Sequence, residues 1–299
     1  MSEIVKIVEV GPLDGLHHEQ KKLTAEQKVQ LIRYLKNTGL QTIEAGAFAP
    51  AHVMPNLADS SYVVEGLSLF SEGLTLPVLV PNLQGYENAM AAGAEAVTIH
   101  LSATETFAQK HLNCSIEESL GRFLPVVEKA AENNIPVRVR VACAAGCPYE
   151  GAVPSKNVVQ LSEKLHKMGV GEISFEDTIG VANPGQIKRL LFDVTSSVPL
   201  SKIALHMHDT YGQGMANIYG GLEFGVRTFD SSIAGIGGCG FAKGAAGNVA
   251  TEDLVYLLDG LGYASGVDLE SLVRVSHYVA DLLEINPRSK TAHVLNGMA

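Results

Sequence analysis

Two histidines separated by one residue close a short apolar segment and are the clearest candidates for chemistry in this chain. The sequence there is LHMHD at residues 205–209. In a β-strand, residues i and i+2 point to the same face, so the imidazoles of His206 and His208 can converge on one point. Two imidazoles at one strand end, next to an acid, would form half of a divalent metal site. Taken alone, either histidine could instead be a surface residue or a satisfied core residue.

Carboxylate, amide and thiol side chains elsewhere in the chain would complete such a site. Asp14 supplies a hard oxygen, and with two imidazoles this ligand set suits Mg²⁺, Mn²⁺, Zn²⁺ or ferrous iron equally. Asn248 could add a carbonyl oxygen, or could simply be a turn residue that tolerates a left-handed conformation. Cys239 lies in a glycine-rich stretch, 235–244, which could act as a lid or be a loop without a role. A metal beside a carboxylate and a thiol suits carbon–carbon bond chemistry through an enolate.

Short β-branched segments alternate with longer amphipathic segments, and these elements must position the candidate residues. Eight strands are predicted at 4–10, 41–46, 76–80, 96–101, 137–141, 172–176, 202–207 and 228–234. Helices are predicted at 24–37, 58–70, 84–92, 116–133, 156–168, 184–196 and 213–224, and after the eighth strand at 251–259 and 269–283. Eight strands that are each followed by a helix predict an α/β fold, a (β/α)8 TIM barrel with extra C-terminal helices.

An open, doubly wound parallel sheet is the alternative architecture. It would place a glycine-rich phosphate turn after the first strand, and the sequence GPLDG at 11–15 does not follow the G-x-G-x-x-G pattern. Glycines at the ends of several predicted helices fit the repeated change from helix to strand. They are Gly39, Gly93, Gly169 and Gly225. Since no linker, low-complexity tract or charge block interrupts the chain, we expect one catalytic barrel domain over 1–299.

The barrel prediction gathers the polar candidates at one end of the molecule, because barrel active sites lie at the carboxyl ends of the strands. The acids at those ends are Glu9, Asp14, Glu44, Glu176 and Asp177. The seventh strand ends at His206 and His208, and the eighth leads to Cys239. Carboxylates are rarely buried unless they are paired or bound to a cation. The pattern therefore indicates an active site rather than packing.

The composition excludes several other classes of protein. The 299 residues are 46% hydrophobic with a formal charge of −10, which is typical of a soluble globular protein and unfavourable for binding nucleic acid. No run of about 18 apolar residues predicts a membrane span, and the N-terminus shows no export signal, so we expect a cytoplasmic protein. The four cysteines are too few for a disulfide scaffold, and the C-x3-C spacing at 143–147 is not that of a zinc knuckle.

Nine segments spread over nearly the full length resemble the 3-hydroxy-3-methylglutaryl-CoA (HMG-CoA) lyases. They are VEVGPLDGL (8–16), IE (43–44), PN (81–82), NCSIEES (113–119), CPYEG (147–151), DTIG (177–180), HMHDTYGQ (206–213), GGC (237–239) and GNVATEDLVY (247–256). The resemblance implies a (β/α)8 barrel that cleaves HMG-CoA to acetyl-CoA and acetoacetate. The condensing synthases of the same superfamily fit less well, because the chain shows no additional C-terminal regulatory domain.

The resemblance also implies a role for each candidate residue. The implied ligands of Mg²⁺ or Mn²⁺ are Asp14, His206, His208 and Asn248. His206 or Asp14 would relay the proton of the substrate hydroxyl, and Cys239 would be the catalytic thiol that helps to protonate the enolate. Glu44 and Asp177 would be supporting polar residues. The implied partner is a small acyl-CoA or hydroxy-acid substrate, with no nucleic acid and no membrane. A homodimer through the segment 269–283 remains open.

The chain departs from the family pattern immediately before Asp14. The family has an arginine there that steadies the enolate oxygen, and this chain has Leu13. Losing one such donor typically costs about 2.7–4 kcal/mol, or roughly a hundred- to a thousandfold in rate. Other departures are His17-His18 for Gln-Asn, Ala47 for Ser, Glu176 for a small residue and Gly240-Phe241 for Pro-Tyr.

These departures leave three functions open. The first is HMG-CoA cleavage, the second is cleavage of a different hydroxyacyl-CoA or hydroxy acid by a related retro-aldol or retro-Claisen lyase, and the third is a metal-binding barrel with little lyase activity. A protonated His17 could replace the missing cation, or could be an ordinary loop residue.

Overall fold

Parallel strands form the centre of the fold. A computed structural model describes residues 2–238 and 246–296. Its strands are β1 (Lys6–Glu9), β2 (Thr42–Ile43), β3 (Gly46–Ala47), β4 (Pro77–Leu79), β5 (Ala96–Ser102), β6 (Val137–Ala142), β7 (Glu172–Asp177), β8 (Ile203–Met207) and β9 (Thr228–Ser231). They form one sheet in the order β2-β1-β9-β8-β7-β6-β5-β4-β3, and every pairing between them is parallel.

The sheet closes on itself because β2 and β3 are consecutive parts of one extended stretch. The backbone N–H of Glu44 donates to the carbonyl of Glu9 in β1 at 2.9 Å, and that of Ala45 donates to the carbonyl of Pro77 in β4 at 2.9 Å. The stretch predicted as the second strand therefore bonds to both neighbours in turn, which divides it into two short strands. The prediction of a (β/α)8 barrel is confirmed.

Helices surround the barrel, and each predicted helix is present. They are α1 (Ala25–Asn37), α2 (Ser60–Leu67), α3 (Leu83–Ala91), α4 (Glu105–Phe107), α5 (Ile116–Glu132), α6 (Ser155–Met168), α7 (Pro184–Val194), α8 (Gly214–Phe224), α9 (Thr251–Leu261), α10 (Leu269–Leu283) and α11 (Lys290–Asn296). Thr24 begins α1 with a capping box that includes Gln27, and Gly169 ends α6 in a left-handed conformation. The short helices α4 and α11 are not predicted by the sequence pattern, because neither is long enough to show a hydrophobic period.

The strands divide apolar from polar side chains between their two faces. In β6, the valines at 137, 139 and 141 belong to the apolar core between the sheet and the helices. Arg138 and Arg140 alternate with them and, since successive side chains in a strand point to opposite faces, they point into the barrel. Burial of a valine or leucine side chain contributes roughly 1.5–3 kcal/mol, so the outer layer holds the helices to the barrel. The barrel interior is left to polar residues.

Three of the four cysteines lie in the described part of the chain, and all three are buried and free of disulfide bonds. Thr104 Oγ1 donates to Cys147 Sγ at 3.2 Å, and burial raises the pKa of the Cys143 thiol. Cys239, predicted as the catalytic thiol, lies outside the described residues. Among the helices that are described, none is both long and apolar enough to cross a membrane.

Candidate metal centre at the barrel mouth

Asp14 is positioned by a tight turn at the carboxyl end of β1. The turn is a single π-helical segment, Gly11–Gly15, in which three successive N–H groups donate to the carbonyl of Val10. The buried Glu9 Oε1 accepts from the N–H groups of Gly11 and Ile233, both at 2.8 Å. Glu9 therefore does not point into the mouth, but ties the start of this turn to the chain that leaves β9. Burial raises its pKa to about 7.

His206 and His208 face each other at the end of β8. Their Nε2 atoms lie 3.3 Å apart, and both residues are at most 5% exposed. The other nitrogen of His206, Nδ1, lies 3.3 Å from Asp230 Oδ2 in β9. Burial opposes ionisation of Asp230, but the charges of Arg138 and His206 hold its pKa well below the usual range. An ionised carboxylate can only accept, so Nδ1 of His206 carries a proton, and in the neutral form of the ring Nε2 presents its lone pair.

The two imidazoles have different proton affinities. Burial lowers the pKa of His208 to about 4, with a further lowering by the nearby His206, so His208 is neutral near pH 7. Burial also acts to lower the pKa of His206, but the hydrogen bond to Asp230 and the charge of Glu176 outweigh it and raise that pKa. Burial opposes ionisation of Asp14, but the charges of Arg140, His206 and His18, together with the hydrogen bond from Asn248, outweigh burial and hold its pKa far below the usual range. Neutral imidazole and ionised carboxylate are the forms that bind metals.

Asn248 reaches the same point from the opposite side. Its backbone forms an antiparallel bridge with His208. Its amide nitrogen donates to Asp14 Oδ2 at 2.9 Å and to the carbonyl of Ile236 at 3.1 Å, which leaves Oδ1 buried without a hydrogen-bond partner among the described residues. Close approach of the chain is possible here because residue 237 is glycine: a Cβ at Gly237 would lie 2.6 Å from Asn248 Nδ2.

These residues fit a divalent cation. Ligand atoms of Asp14, His206 and His208 all lie within 4.8 Å of one another, and the unpaired oxygen of Asn248 is close to this group. The polar interior near the mouth contains four carboxylates and two guanidinium groups, those of Asp14, Glu44, Glu176, Asp230, Arg138 and Arg140. Among these six side chains the carboxylates outnumber the guanidinium groups, which favours a bound cation.

Arg138 and Arg140 organise the interior, and the sequence analysis did not single them out. Arg138 binds Glu44 at 3.3 Å, Glu172 at 3.0 Å and Asp230 at 2.7 Å. Arg140 donates to Asp14 Oδ1 at 3.0 Å. The alternation VRVRV at 137–141 was the available signal, because two arginines on one face of a strand with buried valines must find carboxylates.

Glu176 and His100 add a second polar pair to the mouth. Glu176 is 8% exposed, and its Oε2 lies 3.6 Å from His100 Nε2. Burial opposes the charge of Glu176, but His100 and the two imidazoles of the metal centre hold its pKa well below the usual range. The sequence analysis placed Glu176 at the mouth and missed His100, which lies on β5, with β6 between that strand and β7.

Glu44 and Asp177 have different surroundings. Glu44 Oε1 accepts from Thr98 Oγ1 at 2.8 Å, and its Oε2 is buried without a hydrogen-bond partner among the described residues, 3.8 Å from Arg140 Nη1. Asp177 accepts from the backbone N–H groups of Val181 and Ala182 at 3.1 and 3.0 Å. Asp177 thus shapes the loop after β7, and burial raises its pKa to about 6.

Leu13 and His17 supply no cation to the centre. Leu13 is 1% exposed and packs in an apolar cluster with Ala47, Met54, Leu57 and Leu79. Burial lowers the pKa of His17 to about 4, with a further lowering by His18, whose ring centroid is 4.6 Å away. The ring of His17 is therefore neutral near pH 7, which argues against the alternative that it replaces the arginine that the family resemblance implies.

Comparison with known proteins identifies a consistent set of relatives. The family model described as HMGL-like matches residues 4–279. The chain is 45% identical over 292 residues to the cytoplasmic 3-hydroxy-3-methylglutaryl-CoA lyase of Mus musculus, with 98% of this chain and 85% of that protein covered. The structure of a hydroxymethylglutaryl-CoA lyase from Pseudomonas aeruginosa is similar with a TM-score of 0.97 and 42% identity, covering 100% of this chain and 99% of that one. An HMG-CoA lyase from Acinetobacter baumannii, solved in complex with coenzyme A and 3-methylmalate, has a TM-score of 0.92 and 34% identity over 97% of this chain and 94% of its own.

Proposed function

The chain belongs to the HMGL-like family, and from this membership we propose that it cleaves HMG-CoA, or a close analogue, to acetyl-CoA and a keto acid. It is a carbon–carbon lyase of the HMG-CoA lyase type, as are relatives that match it over nearly its full length. With HMG-CoA the keto acid is acetoacetate. The observation that carries the proposal is the convergence of Asp14, His206 and His208 at the barrel mouth.

We propose that these three residues hold Mg²⁺ or Mn²⁺ and that the oxygen of Asn248 joins them. Carboxylate and amide oxygens favour these hard ions over Zn²⁺, which would be better served by further nitrogen or sulfur ligands. When bound, the cation acts as a Lewis acid on the oxygen atoms of the substrate. Asp230 supports the centre by fixing the orientation and tautomer of His206.

Bond cleavage begins with loss of the proton on the tertiary hydroxyl of the substrate. His206 and Asp14 are both candidates for this relay: the ring nitrogens of His206 face Asp230 and His208, and the oxygens of Asp14 accept from Arg140 and Asn248. The carbon–carbon bond then breaks, the hydroxyl carbon becomes a ketone, and the electron pair passes to the thioester as an enolate. A proton delivered to the enolate carbon completes acetyl-CoA, and Cys239 remains our candidate for that donor.

The remaining assignments follow from these contacts. Glu44 holds the two arginines and so positions Asp14 indirectly, while Asp177 shapes the loop beside the mouth. An acyl-CoA is the substrate class we propose, in line with the coenzyme A in the Acinetobacter baumannii relative. A single barrel domain, a homodimer and a cytoplasmic location stay predictions.

The proposal is tested by adding HMG-CoA to metal-stripped protein that is reloaded with Mg²⁺ or Mn²⁺. We expect acetyl-CoA and acetoacetate in equal amounts, no release without metal, and loss of release in His208→Ala. If HMG-CoA is not cleaved but another 3-hydroxyacyl-CoA is, the substrate assignment is wrong and the lyase assignment survives. If the loaded protein cleaves no thioester, the chain is a metal-binding barrel.

Cleavage of a different hydroxyacyl-CoA is our second candidate function, because Leu13 stands where the family resemblance implies an arginine. A variant with Leu13→Arg distinguishes the two substrates, because it restores the family residue without touching a metal ligand. A gain of tenfold or more on HMG-CoA would indicate a pocket still shaped for that substrate. An unchanged or lower rate would indicate a pocket that has been remodelled.

A further inference from the structure

We propose that Arg140 is the catalytic cation of this centre, and that its guanidinium binds the negative charge that the substrate carries or develops beside the metal. This inference rests on the proposed function for the reaction, but not for the existence of an anion site. It assigns to β6 the cationic role that the family resemblance implies for the residue immediately before Asp14, on the chain that leaves β1.

The position of Arg140 places its charge at the metal centre. The residue is 3% exposed, so its guanidinium is held inside the mouth and is not a solvated surface charge. Its Nη1 donates to Asp14 Oδ1 at 3.0 Å, so the guanidinium is one hydrogen bond away from a proposed ligand of the ion. An anion that binds both the metal and a neighbouring donor would therefore meet this side chain.

The guanidinium of Arg140 has a hydrogen-bond donor available for another partner. Arg138, two residues earlier on the same face, is surrounded by three carboxylates at 3.3 Å or less. Arg140 has one such contact, to Asp14, and a second carboxylate oxygen, of Glu44, at 3.8 Å. Its Nε is buried and has no hydrogen-bond partner among the described residues. A buried donor on a charged group is costly when unpaired, which favours a ligand atom at that place.

Arg288, another guanidinium in the described part of the mouth, does not serve this purpose. Arg288 donates to the carbonyl oxygens of Gly235 and Gly237, both at 3.0 Å, and is thereby committed to the backbone. Leu13 is buried in an apolar cluster and carries no charge. Arg140 is thus the guanidinium that adjoins Asp14 and still has an unpaired donor.

The chemistry of guanidinium matches what such a lyase must bind. Its planar set of N–H donors can bind two oxygens of a carboxylate at once, or can stabilise an enolate oxygen as charge accumulates there. If Asp14 bound a divalent ion, its carboxylate would attract Arg140 less strongly, because the same oxygens would then interact with two cations. The guanidinium is then free to bind the substrate anion while it remains beside the ion.

The test measures metal binding and anion binding separately in Arg140→Gln, with Arg140→Lys as the conservative variant. Mn²⁺ affinity is measured by electron paramagnetic resonance titration, and the affinity of the Mn²⁺-loaded protein for 3-hydroxy-3-methylglutarate by calorimetry. Arg227→Gln is the matched control, because Arg227 pairs with Glu3 and the carbonyl oxygens of Leu222 and Val226, away from the centre.

We expect Arg140→Gln to bind Mn²⁺ as tightly as the native protein or more tightly, because a neighbouring positive charge is removed. Its affinity for the diacid should fall at least tenfold, and kcat on HMG-CoA should fall about a hundredfold. Arg140→Lys should keep part of the diacid affinity, and Arg227→Gln should keep all of it. If Arg140→Gln does not fold, Arg140→Lys must show a several-fold loss of diacid affinity without loss of Mn²⁺ affinity.

Two results would overturn the assignment. One is a loss of Mn²⁺ affinity with unchanged diacid affinity, which would make Arg140 a residue that only positions Asp14. The other is native diacid affinity and native turnover in Arg140→Gln. If the native protein cleaves no thioester, but Arg140→Gln binds the diacid more weakly than the native protein does, the proposed function is refuted and the anion site is supported.

Discussion

Replacing Asp230 by asparagine tests whether the carboxylate behind His206 controls the metal centre. Asp230 accepts from Arg138 Nη2 at 2.7 Å and Ser174 Oγ at 2.8 Å, and its Oδ2 lies 3.3 Å from His206 Nδ1. The substitution Asp230→Asn keeps the shape of the side chain and removes its charge. The amide can no longer impose one tautomer on the imidazole, because it offers a donor as well as an acceptor.

The contacts of Asp230 give the size of the effect on each property. Loss of a carboxylate that orients a metal-binding histidine typically lowers metal affinity 10–100-fold, which corresponds to about 1.4–2.7 kcal/mol. Stability should fall by about 1.5–3 kcal/mol, the value of one hydrogen bond to a charged group. It should not fall further, because Arg138 keeps Glu44 and Glu172 as partners and is not left as an unpaired buried charge.

The assay combines Mn²⁺ titration by electron paramagnetic resonance with urea unfolding, and Glu172→Gln is the matched control. Glu172 also binds Arg138, at 3.0 Å, but the structure describes no contact between it and His206. Both variants should lose stability, and only Asp230→Asn should lose Mn²⁺ affinity. Equal Mn²⁺ affinity in the two variants would refute the reasoning, because the carboxylate would then act on the interior ion pairs alone.

Three further substitutions test the supporting structure. The pKa of Glu9 is raised to about 7 in the fold, so between about pH 4.5 and 7 the native state binds more protons than the unfolded state. The free energy of unfolding therefore falls as the pH rises through this range. Glu9→Gln should remove roughly 3 kcal/mol of that fall, and urea unfolding at pH 5 and pH 8 measures it. Gly237→Ala should weaken Mn²⁺ binding about tenfold in the same titration, because its Cβ would displace Asn248, and unchanged affinity would exclude Asn248 from the centre. Thr24→Ala should lower stability by about 1 kcal/mol through loss of the α1 cap, and thermal unfolding checks this.

The sequence predicted the barrel well because its elements carry local signals. Strands such as 96–101 and helices such as Leu269–Leu283 are marked by hydrophobic pattern and by their flanking residues, and the structure places α10 at the predicted bounds. The division of the second strand into β2 and β3 carries no such signal. It arises from hydrogen bonds to two neighbouring strands, and these depend on the register of the closed barrel.

The proposed metal ligands were accessible to sequence reasoning, and the residues behind them were not. His206 and His208 are adjacent on one strand face, so their spacing alone predicts their convergence. Asp230 and Arg138 meet across the barrel at 2.7 Å although they are 92 residues apart in the chain. Inside a predicted strand, neither residue indicates which distant side chain it will contact, because strand order and register must be known first. Arg140 was missed for the same reason.

The most direct test is a crystal structure with Mn²⁺ and 3-hydroxy-3-methylglutarate, in which anomalous scattering locates the ion. We predict one Mn²⁺ bound by ligand atoms of Asp14, His206 and His208, and an oxygen of the diacid on the guanidinium of Arg140. An ion elsewhere in the barrel would contradict the proposed metal centre. An ion in place with the diacid turned away from Arg140 would contradict the role of that arginine alone.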